Sequence, residues 1–327
     1  MNPIERAIRR VDAAQQRHKA SAFVFGIIKK YGDDNGGFLT ANLAHSGFVS
    51  LFPLLLVMVT VLGLVSSSDP ALRQEALNAV AKQVPLIGQQ LASNVHELRR
   101  SSVIGLVIGL LALIWGTSGL AQAGLFTMAQ VWNLPGPERP GYVQRLGRAG
   151  LFLGVLGLGV IVTTLLTGLG SYGHNGAGIA VLSEVLAAAA NVGMYFIGFR
   201  VLTPKSIPTR KLVPGAVAGG VAWTVLEALG TLLVHQFLHS NSVYGVFGTV
   251  LGLLAWIYLG VEISVYAAEI NPVLARRLWP RSIVQPPLTE ADRAVLSVQA
   301  LQNQRRDDEH VKVSFDDAPP PTPVDPE

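Results

Sequence analysis

Thr224, Glu227, Thr231 and His235 recur at three- and four-residue intervals in an otherwise apolar run. On a helix, that spacing places them on one face. A carboxylate, an imidazole and two hydroxyls in one stripe can bind a proton or hydrogen-bond a polar solute. The same groups can instead form an interhelical seam around a protonated glutamate. Either way the stripe must face protein or water, because an ionisable group in hydrocarbon costs about 2.5–3.5 kcal/mol on insertion scales. Counted from Val213 at about 1.5 Å per residue, Glu227 lies roughly 21 Å along its helix. Glu184, in the preceding apolar run, reaches a similar level. The cavity reading therefore has Glu227, Glu184, Thr224, Thr231 and His235 lining a hydrophilic space open to the outside.

A second polar group lies nearer the other end of the bundle. Asn42 and Ser46 share a helix face at i, i+4 spacing, and His45 adjoins them. Pro53 removes a backbone donor, frees the carbonyl of Val49 and is expected to kink that helix. Glu262 belongs to the same inner side. Glu269 falls in the headgroup zone, where pairing with Arg276 or Arg277, or capping a neighbouring helix, is its expected role.

Other chemistries find no residues to carry them. There are no cysteines, so thiolate metal sites, iron–sulfur clusters and cysteine nucleophiles are excluded. Among the seven histidines only His235 and His239 stand at i, i+4, and they have no acids close in sequence. Neither a phosphate-cradling Gly-x-x-x-x-Gly-Lys-Ser/Thr loop nor a Gly-x-Ser-x-Gly elbow occurs. No catalytic, metal-binding or cofactor-binding residue is assigned, no cofactor is expected, and nucleic acid is not an expected partner. The expected partners are membrane lipids and an envelope lipid or other small substrate.

The elements that must position these residues announce themselves by missing charge. No Asp, Glu, Lys or Arg occurs between Asp34 and Asp69, between Arg100 and Glu138, or between Arg148 and Glu184. Beyond Lys211 only Glu227, Glu262 and Glu269 interrupt the apolar sequence before Arg276. Soluble helices need a charged outer face. A bilayer core needs only about 20 apolar residues to be crossed. The expected fold is an all-α polytopic bundle of six transmembrane helices, at about 38–65, 103–125, 149–170, 179–200, 213–235 and 245–270. The second run continues as an interfacial helix to Trp132, and the first acts as an uncleaved anchor. Glycine pairs at 105/109, 150/154, 215/219 and 248/252 permit close helix approach, expected within the chain rather than at a dimer interface.

Lys and Arg set the orientation. Seventeen flank the spans on one side, in residues 1–37, 139–148, 200–211 and 276–281; the other side has Arg73, Lys82, Arg99 and Arg100. Both termini are therefore expected in the cytoplasm.

Three segments lie outside the spans. In residues 1–37, a basic arm, Ile4, Ile8 and Val11 share one face, as suits a helix on an anionic inner leaflet; a plain solvated helix is the alternative. The extracytoplasmic loop 66–102 carries apolar residues at helical spacing, interrupted by Pro85. From Ser282 the chain has nine acidic and four basic residues and ends in prolines. That composition predicts a disordered, dispensable cytoplasmic tail over 282–327.

Several motifs resemble one family. They are Ser50-Leu-Phe-Pro53 in the first span, Pro214-Gly215 and Trp223 in the fifth, Tyr244-Gly245 at the start of the sixth, and Glu269-Ile-Asn271 at its end. In order and position these are similar to the YihY / virulence factor BrkB family of bacterial inner-membrane proteins, over roughly residues 24–275. His45 and Ser46 depart from the family, which more often has aromatic residues there. The resemblance implies six spans with cytoplasmic termini and a role in envelope integrity, by transport or lipid handling of an envelope component. A non-transporting scaffold in envelope assembly is the alternative. An old ribonuclease label within the family finds no residues here to carry it. Reporter fusions at Gly176 and Asn241 are expected to read as extracytoplasmic and a fusion after Arg281 as cytoplasmic; a cytoplasmic signal at Gly176 would remove the hairpin of spans three and four.

Overall fold

The computed structural model describes residues 3–65, 103–139, 141–172, 177–237 and 245–315. The loop 66–102, Tyr244 and residues 316–327 lie outside them. Among the described residues the chain is all helical, without strands. Two polar helices come first, α1 (Pro3–Arg17) and α2 (Lys19–Asp33). Six long apolar helices follow: α3 (Gly36–Val65), α4 (Val103–Val131), α5 (Tyr142–Tyr172), α6 (Ala177–Leu202), α7 (Val213–Phe237) and α8 (Gly245–Arg276). A short α9 (Glu290–Gln302) ends the helical order.

Each of the six expected spans lies within one long helix, and each long helix packs against its described neighbours in sequence. α8 returns against α3, so the six form a ring. Stretches Val181–Leu202, Thr209–Gly230 and Val250–Arg276 are long and apolar enough to cross a membrane. Large apolar side chains point outward all round, among them Leu111, Trp115, Leu151, Leu158, Val185 and Leu251. A surface of that kind is stable against lipid rather than water.

The buried core is concentrated at one end. Leu125, Met128, Val131 and Trp132 near the end of α4 meet Phe199 and Leu202 of α6, Ala216 of α7, and Ala267 and Ala268 of α8. Glycines permit the closest crossings there. A Cβ on Gly215 would collide with the Ala267 carbonyl and the Asn271 side chain, and one on Gly219 with Tyr195 and Ala267. This pair packs within the chain, as expected. Around Gly150 and Gly154, by contrast, a Cβ would meet nothing within 4 Å.

Two expectations for the outer segments need correction. The basic arm is not one helix; it bends at His18. Of that face, Val11 is 60% exposed and Ile8 39%, while the opposite face docks on the C-terminal segment. Asp12 Oδ1 accepts from the Ile283 N–H at 3.1 Å, and Gln15 Nε2 donates to the Arg281 carbonyl at 2.6 Å.

The tail from Ser282 is not disordered throughout. α9 is opened by a capping box: the Thr289 hydroxyl accepts from the Asp292 N–H, and the Asp292 carboxylate accepts from the Thr289 N–H. Val295 packs with Val273 and Leu278 beside Phe23, Ile27 and Trp279. Phe23 and Trp279 meet edge-on at 5.3 Å. Composition missed this because one apolar residue and a set of charged hydrogen bonds anchor the helix.

Asp292 is the hub. It accepts from Arg281 Nε at 2.6 Å, Lys29 Nζ at 3.0 Å and the Ser282 hydroxyl at 2.6 Å. Arg281 Nη2 also reaches Asp33 at 2.6 Å. Burial alone would raise the Asp292 carboxyl, but the hydrogen bonds from Arg281, Ser282, Lys29 and the Thr289 N–H outweigh it and hold it well below the ordinary 3.8. The folded value is depressed, so this stabilisation is complete above about pH 3.8 and is lost as pH falls toward the folded value. Asp292→Ala leaves the buried Arg281 without its main acceptor and is expected to cost about 3–5 kcal/mol in thermal or denaturant unfolding. Truncation after Gln285 is likewise expected to lower the melting temperature, where a disordered tail would leave it unchanged.

Candidate functional site

Polar side chains gather at three levels of the bundle. The first is on α7. Trp223 Nε1 donates to Glu227 Oε1 at 2.8 Å, one turn away. Asn191 of α6 donates from Nδ2 to Glu227 Oε2 and to the Thr224 hydroxyl, both at 3.1 Å. The Thr224 hydroxyl donates in turn to the Gly220 carbonyl at 2.9 Å. One step further, Tyr195 of α6 and Ser264 of α8 share a hydroxyl hydrogen bond of 2.8 Å. The result is a polar seam joining α6, α7 and α8.

Of the expected stripe, the structure joins Thr224 and Glu227 and adds Asn191. Glu184 is exposed on α6, in electrostatic reach of Glu227. The side chains of Thr231 and His235 lie outside the described residues. Asn191 escaped sequence reading because helical spacing pairs residues only within one helix. Its signal was available: a lone amide in an apolar run, 4% exposed, must find a partner.

The second level is a pocket of about 280 Å³ between α3 and α4. His45, Ser46 and Val49 form one wall; Trp115, Ser118 and Gln122 form the other, with Gly116 and Gly119 between. The Ser46 hydroxyl donates to the Asn42 carbonyl at 2.9 Å, and the Ser118 hydroxyl to the Trp115 carbonyl at 2.7 Å. Those back-bonds keep the hydroxyl oxygens available as acceptors. The expected inner cluster of Asn42, His45, Ser46 and Glu262 is thereby divided. Glu262 lies on α8, in electrostatic reach of Tyr31 rather than on the pocket wall. Tyr31 of α2 stacks on Tyr266 at 4.0 Å. Burial pushes the Tyr31 phenol up, Glu262 adds to that rise, and a hydrogen bond with Thr40 opposes it.

The third level is ionic and fully enclosed. Lys30 of α2 has no solvent exposure. Its ammonium pairs with Asp34, donates to the Val131 carbonyl at 3.1 Å and lies 3.5 Å from Glu269 Oε2. Asp34 also accepts from Asn133 at 2.9 Å. This corrects the expected partners of Glu269. Lys30 takes that place, 239 positions away in sequence, while Arg276 donates to the Trp132 carbonyl at 3.0 Å. Two residues on, the buried Asn271 Oδ1 accepts from the Gly215 N–H at 2.8 Å.

A sequence model of the family described as Virulence factor BrkB matches residues 27–288. The chain belongs to the BrkB family. Its relatives are distant. YhjD of Escherichia coli (strain K12), named as an inner membrane protein, is 22% identical over 275 residues, 77% of this chain and 81% of that protein. YfkH of Bacillus subtilis (strain 168), named as ribonuclease-like, is 24% identical over 271 residues, 78% of this chain and 96% of that protein. A UPF0761 membrane protein of Alcanivorax borkumensis is 25% identical over 259 residues, 76% of this chain but 59% of the longer relative. No solved structure matches the chain.

The BrkB-like motif residues sit at helix junctions. Pro214-Gly215 meets Asn271, and Glu269 meets Lys30. Trp223 bonds Glu227 and covers Gly260. The buried Ser50 hydroxyl donates to the Gly47 carbonyl at 2.7 Å. The side chain of Pro53 lies outside the described residues. Among the described residues no three His, Asp or Glu side chains gather so as to hold a metal ion.

Glu227→Gln replaces one acceptor oxygen by an NH2 group that must face the Trp223 indole or the Asn191 amide. The unmet donors are expected to cost about 1–3 kcal/mol. Asn191→Ala is expected to recover part of that loss in a double-mutant cycle followed by thermal unfolding in detergent.

Proposed function

We propose that this BrkB-family protein is an integral inner-membrane protein of six membrane-crossing helices with both termini in the cytoplasm, and that it handles an amphipathic component of the envelope. The orientation rests on the excess of Lys and Arg beside one set of helix ends. The handling role rests on the pocket between α3 and α4.

Its depth supports the reading. Counted at about 1.5 Å per residue from the expected span ends at 38 and 125, His45 lies roughly 10 Å and Gln122 roughly 5 Å inside the cytoplasmic boundary. Both fall in the inner half of a hydrocarbon core about 30 Å thick. His45, Trp115 and Gln122 are all exposed there. A polar cleft opening sideways within that core is costly unless water or a polar group fills it.

Size narrows the occupant. Sites for whole small ligands occupy about 300–1,000 Å³. A volume of 280 Å³ suits a headgroup-sized portion. The remainder of such a molecule would lie outside the pocket, along the exposed apolar face at Leu111 and Ile114. A lipid or lipid-linked small molecule has that division of polarity. We favour this role over catalysis; a scaffold in envelope assembly is the competing reading, and it gives the pocket no task.

Gly119→Phe separates the two. A Cβ there meets nothing within 4 Å, so the ring can enter the pocket without displacing the backbone. The variant is expected to accumulate and melt like the wild type, to lose co-purifying lipid, and to fail to restore detergent resistance in a strain lacking the protein. Full restoration with the pocket filled would favour the scaffold.

A further inference from the structure

The cytoplasmic ends of α5 and α6 carry a feature that neither the pocket nor the seam uses. Arg148 lies in the second turn of α5, and Arg200 in the last turn of the antiparallel α6. Phe152, one turn beyond Arg148, lies against Gly198, so the antiparallel register sets Arg148 level with the end of α6, where the charge of Arg200 is felt at Arg148. Among the described residues neither has a carboxylate partner. Arg200 Nη1 donates to the Pro204 carbonyl at 3.2 Å. Arg148 Nη1 is shut off from solvent and has no hydrogen-bond acceptor.

Two like charges drawn together, with a shielded donor unmet, form an arrangement that an anion would complete. A guanidinium is a planar fork suited to phosphate oxygens, and two forks can hold one tetrahedral anion from two sides. Position narrows the source. Arg148 immediately precedes the charge-free run to Glu184, and Arg200 closes the apolar run of α6. Both mark the edge of the hydrocarbon, the level at which lipid phosphates lie. A Cβ at Gly147 or Gly150, on the same helix, would meet nothing within 4 Å, so approach from the side is open.

We propose that Arg148 and Arg200 form a binding site for a phosphate oxyanion at the cytoplasmic membrane boundary, filled by the phosphodiester of an anionic lipid. Basic pockets between helices on the cytoplasmic side recognise such headgroups. The inference rests on the proposed orientation but not on the pocket between α3 and α4, which lies deeper and on other helices.

The test uses the full chain reconstituted in vesicles of phosphatidylglycerol or phosphatidylcholine. Lipid that stays bound after gentle detergent extraction is counted by native mass spectrometry. Wild type is expected to retain phosphatidylglycerol in preference to phosphatidylcholine. Arg148→Gln combined with Arg200→Gln is expected to weaken that retention about tenfold or more. The control is Lys205→Gln with Arg210→Gln, which removes two exposed charges nearby and is expected to change it less than about twofold. Should the glutamine pair not accumulate, Arg148→Lys with Arg200→Lys keeps the charges but not the forks, and is expected to fall between wild type and the glutamine pair. Added inorganic phosphate distinguishes the source. If it raises the melting temperature of wild type and not of the Arg variants, while phosphatidylglycerol does neither, the occupant is free phosphate. Equal loss in the Arg variants and the control, or no response of wild type to either anion, overturns the site. A cysteine at Ser206 labelled only from the extracytoplasmic side would instead overturn the orientation.

Discussion

A buried ammonium governs one end of the helix bundle. Lys30 has no contact with solvent, and an uncompensated charge in such a place costs several kcal/mol even after relaxation. It is tolerated because Asp34 just past α2, Glu269 of α8 and the Val131 carbonyl of α4 converge on it. Those ligands fix where three helices end relative to one another. Asp34 in turn holds Asn133, and Gln299 of α9 donates to the neighbouring Asp33 carbonyl at 2.9 Å. The tight apolar core of Trp132, Leu212 and Ala268 lies beside this cluster. The bundle is thus clamped at one end and held elsewhere by lipid-facing apolar helices and a polar seam.

That arrangement assigns different work to residues of the same type. Glu269 lies 3.5 Å from the enclosed Lys30 ammonium, so its worth lies in a contact that ties α8 to α2. Glu227 accepts from an indole and an amide, so its worth lies in two correctly placed oxygens. Glu184 is exposed on α6. Three carboxylates in apolar helices, similar in composition terms, are separated only by what other helices bring to them.

The limits of legibility follow the same line. The run 213–235 became Val213–Phe237, and 38–65 became Gly36–Val65, because the absence of charge is a local property of the chain. The motif pairing of Gly215 with Asn271 was visible as two motifs but not as one contact. Asn191 lay on a different helix from the stripe it completes. The tail was misjudged because α9 is polar by composition; its order comes from Asp292 meeting Arg281 and Lys29, and the partner on α2 is more than 250 residues away. Periodicity sees one helix at a time, and most of the unexpected contacts here cross between helices.

The clamp formed by the N-terminal arm and the C-terminal segment also has a consequence in time. Arg281 seals Asp33 across 248 positions of sequence. At synthesis rates of about 5–20 residues per second, α2 waits roughly 12–50 s for its partner to be translated. During that interval Lys29 and Asp33 remain hydrated, and the face that Phe23 and Ile27 will bury stays open. A ribosome that stalls before Asp292 leaves that face uncovered for as long as the chain persists. Closure of this cap therefore reports that translation has passed α9, and a protease would find in the open cap a ready mark of an unfinished chain.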